Sequence, residues 1–131
     1  MCNRCSCSNH LIINSPILIS NEIYRLLPFD QSHPLALNRI VPVIGLAQSL
    51  NWLDESQYKE SSIASVDMLA RYHDIDYVEA VLSAENNRCI PVTLGKRYNL
   101  GRHGTSYFSK MFTRPATTAG ASILAGQLLA D

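Results

Sequence analysis

Apolar residues lie along the 131-residue chain in short groups whose spacing changes from one segment to the next. Ile17-Leu-Ile-Ser20 is a brief apolar run with strand character, and Pro16 closes the polar stretch before it. Further on, Leu37, Ile40, Val41, Ile44, Ala47 and Leu50 or Asn51 recur at helical spacing and define one apolar face. Ser32 or His33 is placed to cap that helix, with Pro34 tolerated in its first turn. Pro42 interrupts the pattern. Proline inside a helix removes an amide donor and clashes with the carbonyl four residues back, here Asn38, at about 3 kcal/mol, so a kink or restart is expected near 38–42.

The polar stretch from Asp54 to Ser62 reads as a loop, with a short strand around Tyr58 to Ile63. Ser65 suits the cap of a short helix through Tyr72, and Asp74 or Asp76 the cap of the next, with Glu79 in its first turn. Ile75, Val78 and Leu82, with Tyr77 and Val81, form its expected buried stripe, and Glu85 to Arg88 ends it. Cys89 to Gly101 is expected to be irregular or a short strand, punctuated by Pro91, Gly95 and Gly101. Pro115 opens a last helix in which Ala119, Ser122, Ile123, Gly126 and Leu129 offer a face for close packing. Helices of this kind cover a sheet, yet few strands are legible, so the class is α/β with an incomplete sheet.

At this length one domain is the limit, burying about two thirds of its unfolded surface. Residues 1–16 are a polar tail rich in Cys, Ser and Asn, and 17–131 form the domain proper. Eleven basic and eleven acidic side chains cancel and are largely interspersed, which argues against a nucleic-acid partner, since that affinity needs clustered cations. No apolar run approaches the roughly 18 to 20 residues of a membrane span. Asn14, Ser15 and Pro16 break up the apolar residues near the start, and no small-residue cleavage site follows, so a cytoplasmic protein is expected. Cys2, Cys5 and Cys7, with His10, could in principle surround zinc. Their crowding leaves little backbone to wrap an ion, and an unstructured or misassigned amino terminus is the competing reading.

A hydrolytic site needs a base near a nucleophile or metal, which directs attention to His33, His73 and His103. His33 precedes Pro34 and suits a capping or packing role. His73 sits beside Asp74 between two helices, either as a carboxylate-held base or as part of the join. His103 lies in a Gly-rich loop next to Gly104. No Gly-x-Ser-x-Gly elbow, phosphate-cradling loop with lysine, or His-Glu-x-x-His occurs.

Three blocks carry more information in their order than singly: His33-Pro34 followed by Arg39, then Arg71-Tyr-His73-Asp74-Ile-Asp76-Tyr77, then Tyr98-Asn-Leu-Gly101 with the Ala119-Gly120-Ala-Ser helix beyond. Together they resemble the amino-terminal portion of the zinc-dependent deacetylases, the family of histone deacetylases, acetoin-utilisation proteins and acetylpolyamine amidohydrolases. The resemblance implies a three-layer, mainly parallel-sheet arginase-deacetylase fold of which this chain is an incomplete amino-terminal part. It also implies a hydrolase that removes acetyl groups from acetyl-lysine or acetylated small amines, using zinc held by two aspartates and a histidine. Arg39 matches the family arginine lining an internal channel proposed for acetate exit, and a guanidinium suits a carboxylate. An ordinary helix arginine paired with a local acid is the other reading. Gly101 to Ser106 match a loop that carries a substrate-gripping aspartate at the tunnel rim; here Gly104 stands in that place beside His103, which shifts the expectation toward small acylated amines.

The family's zinc ligands and paired histidines have no counterpart: the only carboxylate beyond His103 is Asp131, and no His-His or Asp-x-His occurs. The chain alone is therefore expected to be inactive and to bind no zinc. A complementary carboxy-terminal chain or a homologue is the expected partner. The alternative is a noncatalytic remnant acting through protein interaction.

Overall fold

The computed structural model describes residues 16–26, 39–102 and 106–130. Two strands, β1 (Leu18–Ser20) and β2 (Tyr58–Glu60), pair in parallel with Leu18 opposite Tyr58 and Ser20 opposite Glu60. Parallel partners need a crossover, and α1 (Ile40–Ser49) lies within it. After β2 come α2 (Val66–Leu69), α3 (Ile75–Asn87), α4 (Val92–Tyr98) and α5 (Thr113–Ala130). The outcome is helices around a small parallel sheet, as the α/β reading expects.

The elements start and stop for local reasons. Ser65 Oγ accepts the Met68 amide at 3.2 Å, and Asp74 Oδ1 accepts those of Asp76 and Tyr77, so both expected caps are made. Helix α1 begins at Ile40, which puts Pro42 in its first turn, where an amide hydrogen would have had no intrahelical partner. No kink is required. At the other end of α1 Asn51 is left-handed (φ 55), while the Asn51 amide donates to Gln48 and the Trp52 amide to Ala47. Helix α3 ends the same way, with Arg88 left-handed and the Cys89 amide donating to Ala84.

Small side chains set the packing. The buried apolar residues include Ala64, Val78, Ala80, Ala84, Met111 and Ala116. On α3, Val78 is buried as expected, but Ile75 and Tyr77 are exposed, and Ala80 and Ala84 face the core instead. On α5 the buried face is Ala116, Thr117 and Gly120, displaced from the expected Ala119 to Leu129 stripe, and Leu129 itself is 89% exposed. The reason is a close approach: a Cβ on Gly120 would lie 1.9 Å from the Ser62 carbonyl oxygen, and the Ala64 amide donates to the Ala116 carbonyl at 3.0 Å. Residues 92–98, expected to be irregular or strand, form α4, with Pro91 as its N-cap and Asn99 left-handed at its end.

Candidate functional site

In open α/β sheets, ligands bind beyond the carboxyl ends of the strands. Here that end is held by Asn21, the residue after β1. Its side-chain oxygen accepts the Ile23 amide at 2.9 Å, and its Nδ2 donates to the Ser61 carbonyl at 2.8 Å and to Glu60 Oε1 at 3.2 Å. One amide thus starts the 3-10 turn over Glu22–Arg25 and ties it to the end of β2. The Ser61 amide donates to Ser20 at 2.9 Å, extending the ladder by one bond.

Arg114, from α5, fixes the far side of that turn. Its Nη1 donates to the Ile23 and Leu26 carbonyls at 3.2 and 2.8 Å, and its guanidinium stands 5.3 Å from the centre of the Tyr24 ring. The Tyr24 and Thr118 hydroxyls share a 2.7 Å hydrogen bond. These bonds span 88 to 94 residues of sequence and position the chain as it enters the segment that carries His33 and Pro34. A cleft of about 280 Å³ opens between this turn, Tyr58 and α1, whose Ile40, Val41 and Ile44 form one wall.

Arg39 immediately precedes Ile40 on that wall and is exposed. It is the N-cap residue of α1, with φ −96° and ψ −21°, and its own side chain makes no capping hydrogen bond. A cationic residue thus stands at the positive end of a ten-residue helix, and each of the two favours an anion.

The α5 amino terminus is secured by a residue that periodicity alone marks only as a helix end. The Glu85 carboxylate accepts the Phe112 and Thr113 amides at 2.8 and 2.9 Å and the Thr113 hydroxyl in a short bond. Burial by itself raises the Glu85 pKa. The bonds from Thr113 and Phe112 and the Lys110 charge outweigh it, holding the carboxyl below its ordinary value.

His73 lies between α2 and α3 with its ring edge-on to Tyr72 at 5.0 Å. It borders a mostly apolar cavity of about 180 Å³ with Tyr77, Val78, Met111 and Phe112. The neighbouring Asp74 directs Oδ1 to the α3 amides, which matches the helix-joining reading. His33, His103, Gly104, Cys2, Cys5, Cys7 and His10 lie outside the described residues. Among the described residues no three His, Cys, Asp or Glu side chains gather closely enough to hold a metal ion, so those residues do not fit the zinc site of a deacetylase. Nor is any described helix long and apolar enough to cross a membrane.

No family model matches the sequence. Individual relatives do. Acetoin utilization protein AcuC of Bacillus subtilis is 27% identical over 109 residues, which is 83% of this chain and 28% of that protein. AcuC of Staphylococcus aureus is 30% identical over 101 residues, or 77% of this chain and 26% of that protein. The fold agrees: a crystal structure of an HDAC homologue from Aquifex aeolicus superposes with a TM-score of 0.79 at 25% identity, covering 86% of this chain and 30% of that one. The chain is similar to AcuC proteins in sequence and to HDAC homologues in fold, which supports an HDAC- and AcuC-like deacetylase family. It spans little more than a quarter of the length of the curated AcuC relatives it matches. A structure of an HDAC homologue in complex with SAHA matches equally well, at TM-score 0.79 and 24% identity.

Proposed function

We propose that this chain contributes the strand-end scaffold and an anion-binding arginine to a zinc-dependent hydrolase that removes acetyl groups from acetyl-lysine or acetylated small amines in the cytoplasm, and that it is inactive alone. The observation that carries this reading is Arg39 at the amino end of α1, next in sequence to Ile40 of a cleft that the end of β1 also lines, in a fold shared with HDAC homologues. Acetate, the product of such a reaction, is a small anion that a guanidinium binds through paired hydrogen bonds. In the proposal His103 and Gly104 contribute to the substrate rim, where a missing carboxylate favours small amines over peptides. Zinc would supply the electrophile for the amide carbonyl, with its ligands coming from outside the described residues.

A second reading, a noncatalytic partner-binding protein, is favoured by the narrow sheet: parallel strands are normally covered on both faces and edges, and β1 and β2 have only each other among the described residues.

One experiment addresses both. The chain is assayed on an acetyl-lysine peptide and an acetylated diamine with zinc, alone and co-expressed with the part of Bacillus subtilis AcuC that the match leaves uncovered. No turnover alone and turnover by the pair is the expected result, with Arg39→Ala lowering kcat about tenfold or more, from the ~1.5–3 kcal/mol of a charge-assisted hydrogen bond. Metal-dependent turnover by the purified chain overturns its inactivity. A stable pair without turnover overturns the hydrolase reading and leaves the partner-binding one.

A further inference from the structure

We draw no further inference here: the strongest candidate, the cleft of about 250 Å³ beside α4 that Lys96 and Arg102 line together with Pro91, Leu100 and Gly101, carries none, because nothing in the structure shows what covers it.

Discussion

Replacing Gly120 with alanine adds one methyl group where α5 meets the chain after β2. The new Cβ would lie 1.9 Å from the Ser62 carbonyl oxygen, 3.0 Å from its carbon and 3.2 Å from the Ala64 nitrogen. Side chains do not approach backbone oxygens closer than about 3 Å, so the helix and the segment after β2 must separate by on the order of 1 Å. The hydrogen bond from the Ala64 amide to the Ala116 carbonyl, 3.0 Å long, lies one turn away on the same contact and would stretch out of range. Overpacking costs about 1–3 kcal/mol and the lost bond about 1 kcal/mol, against a gain of about 1 kcal/mol from alanine's better helix propensity. Net destabilisation of about 1–3 kcal/mol follows. Gly126, in the same helix, has nothing within 4 Å of its would-be Cβ, so Gly126→Ala keeps only the propensity gain and serves as the internal control. Urea unfolding followed by circular dichroism, at one fixed protein concentration, should move the two midpoints in opposite directions, by about 0.5–2 M for Gly120→Ala at an ordinary m-value. Equal stabilisation by both substitutions would refute the close approach of α5 to Ser62.

Two further substitutions probe the joints of the site. Glu85 has a lowered pKa in the folded chain, so its stabilising contribution is complete above the ordinary carboxylate range and is lost as the pH falls through the depressed value. Glu85→Gln is expected to cost about 1–2 kcal/mol at neutral pH, discounted for partial exposure, and to flatten the acid limb of a stability-against-pH curve; an unchanged limb would show that the carboxylate does not cap α5. Asn21→Ala removes bonds to Ile23, Ser61 and Glu60 and should cost about 1–2 kcal/mol by thermal unfolding. Asn21→Asp keeps the acceptor for Ile23 but loses both donors and sets a charge beside Glu60, so it should not rescue; full rescue would assign the whole effect to the cap.

The readable parts of this fold are those governed by neighbours in sequence. Ser65 and Asp74 cap helices through amides two or three residues on; residue type points to Ser65 directly and to Asp74 alongside Asp76. The ordered His33, Arg39, His73 and Tyr98 blocks pointed to the family that the AcuC and HDAC-homologue comparisons support. What stayed hidden depends on distance or on small size. Periodicity gives weight to large side chains, whereas Ala80, Ala84, Ala116 and Gly120 are buried because backbones meet there. Helix α4 was masked by its own punctuation: Gly95 reads as a breaker, yet a Cβ there would meet the Leu100 carbonyl oxygen at 3.1 Å, so the glycine admits a returning chain. Pro42 signalled a break in a helix that in fact starts two residues earlier. Arg114 and Glu85 act across dozens of residues, and nothing local announces either role.

The pairing of Leu18 with Tyr58 has a bearing on how the chain is made. Until residues 58–60 have left the ribosome, β1 lacks β2, its one partner among the described residues, and so waits through some forty residues of synthesis. At about 5–20 residues per second that is an interval of seconds, ample time for a chaperone to intervene. Helix α1, whose backbone bonds are local, can form before then, and the nascent chain would show this apolar helix to solvent before β1 and β2 have paired.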